Sequence, residues 1–144
     1  MKRISNQVNA SILICVFLTV CGCNSGPEDM PEIGSVTGTV TLDGQPLEAA
    51  DIFFAPEDGR TSTGTTDATG KYELTYNPTT KGAKIGKNMV RITTFKEFEG
   101  DLDAEDSKEP ARKELVPAEY NKKTTLTADV KAGENTFNFD LESK

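Results

Sequence analysis

The chain has 144 residues, with 16 basic and 23 acidic side chains, no histidine and no tryptophan, for a formal charge of −7. That length suits one domain, and no internal repeat argues for a second. An acidic surface repels phosphate backbones, which excludes nucleic acid as an expected partner. The missing histidine removes the commonest proton shuttle and metal ligand.

Lys2 and Arg3 form a positive n-region, and Ala10 to Val20 is an apolar run. Its length of about 11 residues fits a signal h-region and falls short of the roughly 20 that a spanning helix needs. Val20-Cys21-Gly22-Cys23 follows. It resembles the lipobox of bacterial lipoproteins, with a branched aliphatic residue three places before the cysteine and a small residue just before it. The expected cleavage lies between Gly22 and Cys23, making 1–22 the signal peptide. Cys21 would require cleavage after Val20, whose branched side chain suits a small-residue pocket poorly. The Cys23 thiol accepts a diacylglycerol as a thioether, and the freed amine takes a further acyl chain such as palmitate. One chain holds only marginally, whereas two or three anchor stably. Processing removes Lys2 and Arg3 and no acid, leaving 14 bases against 23 acids and a charge of −9. The third cysteine, Cys15, also lies in the leader, so no disulfide staples the domain.

Residues 23–34 carry the lipidated cysteine and then a tether with Pro27, Pro31 and acids but no periodicity. At ~3.3–3.6 Å per residue its reach is on the order of 35 Å. Asn24 follows the cysteine where an aspartate favours inner-membrane retention in enterobacterial lipoproteins. The resemblance therefore implies the outer membrane or cell surface, facing periplasm or exterior.

From Ser35 to Lys144 the apolar period is two, the mark of half-buried strands. Val36, Gly38, Val40 and Leu42 share one face, and Asp43-Gly44 signals a hairpin. Ala50, Ile52 and Phe54 point inward on the next run, which closes at Pro56. Thr61 to Thr66 is β-prone with almost no apolar residue and reads as a short edge strand. After the turn Asp67-Ala68-Thr69-Gly70, Tyr72, Leu74 and Tyr76 recur at period two. Val90 and Ile92 face one way, with Met89 and Arg91 the other. An acidic loop occupies about 96–116. Leu126, Ala128 and Val130 alternate with polar residues, and a turn at 131–135 leads into Phe137, Phe139 and Leu141. About seven short strands with turn residues between them predict an all-β, antiparallel two-sheet sandwich.

Specific residues then match a family. Val36-Thr37-Gly38-Thr39-Val40 with Gly44-Gln45-Pro46-Leu47, and Thr66-Asp67-Ala68-Thr69-Gly70-Lys71-Tyr72, resemble the two signatures of carboxypeptidase regulatory-like domains. The remainder is similar to a set of small bacterial lipoproteins at Lys81–Gly86, Val116–Asn121 and Gly133–Asn135 with Phe139–Leu141. The resemblance implies a transthyretin-like sandwich and no chemistry, since members without other domains have no established activity. Both glycine motifs also have a plain structural reading: they supply residues tolerant of positive φ at hairpin corners.

Among candidate sites, Asp101, Asp103 and Glu105 alternate as the carboxylates opening a calcium loop do. Asp106 replaces the glycine such a loop needs at its sixth position, so the expectation is a solvated loop. Calcium-dependent adhesion through these three residues is the alternative. An isopeptide bond is excluded because the first strand holds no lysine and Asn138 and Asp140 face outward. Sugar binding would need an exposed ring: Phe53, Phe95 and Phe98 have no assigned face, and Tyr120 is the plausible surface ring. No nucleophile–base motif is present, so no catalytic residue and no cofactor is expected beyond the lipid on Cys23. The chain reads as a non-catalytic structural or binding module of the envelope. Its expected partners are membrane lipid and an envelope protein or polysaccharide, possible through a free edge at Thr61–Thr66; a carbohydrate-binding accessory role is a further alternative.

Overall fold

A computed structural model describes residues 30–97 and 111–144. The signal segment, Gly22, Cys23 and the carboxylates of Asp101, Asp103 and Glu105 lie outside the described residues.

The strands are β1 (Ile33–Leu42), β2 (Gln45–Pro46), β3 (Asp51–Pro56), β4 (Ser62–Thr65), β5 (Lys71–Glu73) and β6 (Thr75–Asn77). They continue with β7 (Thr80–Lys81), β8 (Ala83–Lys84), β9 (Gly86–Thr93), β10 (Thr127–Val130), β11 (Glu134–Thr136) and β12 (Phe139–Leu141). Two sheets form the all-β sandwich that the alternating pattern predicts. β1 is the axis of the first. Along one side β8, β5 and β2 lie end to end and antiparallel to it. Along the other side β11 and β12 lie end to end and parallel to it. The second sheet is antiparallel throughout, in the order β10-β9-β3-β4-β6-β7. The chain changes sheet at Leu74, a fully buried corner between β5 and β6.

The period of two delivers the core. Val36 and Val40 from β1, Ile52 and Phe54 from β3, and Val90 and Ile92 from β9 are all fully buried between the sheets. Phe54 bridges the layers, with ring centroids 5.8 Å from Phe137 and 6.3 Å from Phe139. Each such side chain contributes about 1.5–3 kcal/mol on burial. The outer face of the first sheet is a polar ladder: Thr39 Oγ1 donates to Asn138 Oδ1 at 3.0 Å, and Thr41 Oγ1 to Asp140 Oδ1 at 2.7 Å.

Two expectations change. The Thr61–Thr66 run is not an edge: β4 pairs with β3 over Ser62–Thr65, and Thr63 pairs with Thr75 of β6 on its other side. Apolar poverty misleads here because the outward face of β4 is open to solvent while its backbone is enclosed. Tyr120 is not a surface ring. It is half-buried against the core, and its Oη accepts from the Glu142 N–H at 3.4 Å. The 3-10 turn Ala118–Tyr120 carries it inward.

Candidate functional site

The glycine motifs are structural. At Gly38 a Cβ would collide with the carbonyl oxygen of Phe137 and lie 2.9 Å from Tyr72 Cε1. Only a residue without a side chain leaves room for the Tyr72 ring to meet the Phe137 backbone over β1. Tyr72 Oη donates to that same Phe137 carbonyl at 2.8 Å, and burial pushes its phenol well above the usual range. Gly70 has φ 76°, and a Cβ there would stand 2.5 Å from Val40 O. Thr66 is buried and ties two segments: its Oγ1 donates to Leu47 O at 2.5 Å and accepts from the Ala50 N–H at 2.8 Å. Asp67 Oδ1 accepts from Thr69 Oγ1 (2.7 Å) and from the N–H groups of Thr69 (2.8 Å) and Lys71 (3.0 Å). Those bonds, the Thr69 hydroxyl first, hold the Asp67 carboxyl below its ordinary range. At the first hairpin Asp43 (φ 51°) and Gly44 (φ 79°) have the positive dihedrals of a two-residue turn. The polar side chains of Thr66, Asp67, Thr69 and Tyr72 in these motifs are thus satisfied by the chain itself.

The outer face of the second sheet differs. The β3–β9 register sets Asp51 opposite Thr93, Phe53 opposite Arg91 and Ala55 opposite Met89, all on the side away from the core. Two hollows of about 1000 Å³ and 640 Å³ lie over this face. They share Phe53, Arg91, Asn121 and Lys122, so they form one continuous groove. The Arg91 guanidinium carbon sits 4.1 Å above the centre of the Phe53 ring, a cation–π contact. Phe95 and Met89, 51% and 56% exposed, extend the apolar floor at opposite ends.

The groove walls are pinned by the two ends of the acidic loop. Lys96 and Arg112 form a backbone bridge, with N–H to carbonyl distances of 3.2 and 3.1 Å. Arg112 also donates to the Ala49 carbonyl and meets Asp51 Oδ2 at 3.3 Å. Glu114 Oε1 accepts from the N–H groups of Thr94 and Val116, each at 3.0 Å, and from Thr94 Oγ1 at 3.1 Å. Its Oε2 accepts from the Thr93 hydroxyl. Partial burial raises the Glu114 carboxyl, and the bonds from Thr93, Thr94 and Val116 outweigh that and leave it below its ordinary value. On the far wall Asn121 is buried: its Nδ2 donates to Val116 O at 2.9 Å and its Oδ1 accepts the Lys122 N–H at 2.5 Å.

The groove lining holds more bases than acids, opposite to the chain's overall sign, although Glu97 also lines it with an exposed carboxylate. Asp51 and Glu114 direct their carboxylates into Arg112, threonines and backbone. Arg91, Lys113 and Lys122 line the groove with no carboxylate in ion-pair contact among the described residues. Elsewhere the surface pairs Lys81 with Glu73 and Lys131 with Asp129. The floor adds the exposed hydroxyls of Thr61 and Thr63, which make no hydrogen bond among the described residues. Among those residues no group of three or more metal-ligating side chains converges.

Reading by strand period put Met89 and Arg91 on the outward face but did not single out Phe53, Arg91, Phe95, Lys113 or Lys122 as one site. The available signal was Phe53, an aromatic at an outward position of a strand whose neighbours Ile52 and Phe54 are core. No family model matches this chain, and none of the curated proteins compared with it is significantly similar. The site is therefore read from its own residues.

Proposed function

We propose that this chain is a non-catalytic binding module of the cell envelope, held to a membrane through lipid on Cys23, that receives its ligand on the outer face of the second sheet. The observation that carries the binding reading is the groove. Two of its three acids, Asp51 and Glu114, are spent on the chain's own groups and the third, Glu97, is exposed, while Arg91 over Phe53, Lys113 and Lys122 face solvent beside them. The non-catalytic reading rests on composition, since a chain without histidine has no ready proton shuttle. Support for the anchor comes from Val20-Cys21-Gly22-Cys23 after its apolar run, and from the length of tether before β1 begins at Ile33.

The test is palmitate labelling with membrane fractionation and mass spectrometry of the mature N-terminus. The expected product is membrane-bound and begins at acylated Cys23, and Cys23→Ala releases or mislocalises it. An unmodified, soluble wild-type product overturns the anchor.

A further inference from the structure

Resting on the reading of the groove as the binding face, we infer that its ligand is an extended acidic polysaccharide, a glycan chain bearing uronate-type carboxylates. Three features of the groove select this class. The first is charge. Arg91 is preorganised by its contact with Phe53, and a guanidinium so held keeps its N–H edge open to a carboxylate. Lys113 and Lys122 line the same trough, so it offers three cations, which suits a chain bearing several carboxylates.

The second feature is the mixture of surfaces. Phe95 and Met89 offer apolar patches to the C–H faces of sugar rings, and Thr61 and Thr63 offer unused hydroxyls beside them. A sugar needs both kinds of contact, because each ring has an apolar face and a rim of hydroxyls whose desolvation must be repaid. An acyl chain would need an enclosed apolar tunnel, which this open trough does not provide.

The third is the backbone. β4, β3 and β9 are interior strands of the second sheet, so their ladder groups are already paired. A peptide cannot add here as an extra strand. It would have to bind through side chains alone, whereas a glycan uses no ladder and loses nothing.

The decisive measurement uses the full mature chain in detergent micelles with a fluorescent hexagalacturonate, alongside neutral galactohexaose and hexaglutamate. The acidic glycan is expected to bind and to weaken as salt is raised, with the neutral glycan at least tenfold weaker. Arg91→Gln is expected to weaken it by about tenfold, the cost of one charge-assisted contact, and Lys122→Gln by a smaller factor. Lys131→Gln, outside the groove, should change nothing. Equal binding of the neutral glycan overturns the inference, as does hexaglutamate binding as tightly as hexagalacturonate, binding to none of the three, or indifference to both groove substitutions in folded protein. Fractionating the wild-type chain beside the titration separates the two readings: an unmodified, soluble wild-type chain that still binds hexagalacturonate sinks the anchor alone, and a membrane-bound wild-type chain that binds no probe sinks the groove alone.

Discussion

The aromatic closure over β1 and the groove over β9 are built from the same residue types and differ in where their polar groups point. Around β1, Tyr72 Oη, Thr66 Oγ1 and the Asp67 carboxylate all end on atoms of the same chain. Around β9 the Asp51 and Glu114 carboxylates are taken up by the chain, while Arg91, Lys113 and Lys122 stay in solvent. A motif that stands out in sequence can therefore be wholly occupied with holding the fold, while the surface with unspent chemistry has no motif at all. The criterion that separates them is satisfaction of polar groups.

Substitutions can break or sharpen that contrast. Gly38→Val should be the most damaging, because its side chain meets the Phe137 carbonyl and the Tyr72 ring. Loss of about 3 kcal/mol or more, or failure to fold, is expected by chemical denaturation. Tyr72→Phe keeps the ring and leaves the Phe137 carbonyl without its donor, at a cost of about 2 kcal/mol in the same assay. Glu114→Gln should cost about 1 kcal/mol at neutral pH, since an amide cannot accept all four bonds that the carboxylate takes. It should also change the pH profile. Because the folded-state value lies below the unfolded one, the Glu114 contribution is complete above the ordinary value of 4.5 and is lost as pH falls through the depressed folded value. Melting curves between pH 6 and about pH 3 should therefore fall less steeply in Glu114→Gln than in wild type. Arg91→Gln should be the mildest for the fold, removing one exposed cation–π contact worth less than about 1 kcal/mol. If it unfolds the protein as Gly38→Val does, the groove is part of the scaffold and the contrast is gone.

Much of this scaffold is readable in the chain. Ile52 and Phe54, and Val90 and Ile92, announce their burial by alternation alone, and Asp43-Gly44 announces its turn. What alternation cannot reveal is which strands become neighbours. Thr61–Thr66 looks like an edge by composition, yet a single pairing of Thr63 with Thr75 encloses it. The parallel pairing of β1 with β11 and β12 leaves no local trace, because it joins residues from opposite ends of the domain. The groove is illegible for the same reason. Phe53 becomes a cation-bearing floor only when the register sets Arg91 opposite it, and Lys113 and Lys122 arrive from the far end of the acidic loop and from beyond it. Tyr120 shows the reverse failure, an apparent surface ring drawn inward by a short turn that its local sequence does not advertise.

The central place of β1 also governs the order in which the molecule can come together. Synthesis delivers this strand first, and its parallel neighbours last; the Thr39–Asn138 bond spans 99 residues. Closing so long a loop costs more entropy than any hairpin in the chain, and pairing at such distance slows folding. Until Leu141 has left the ribosome or crossed a bilayer, one side of the oldest strand stays bare. A nascent chain cut short before Phe139 keeps that side open, so quality control and holdase chaperones meet their natural handle at the start of the domain, not at its unfinished end.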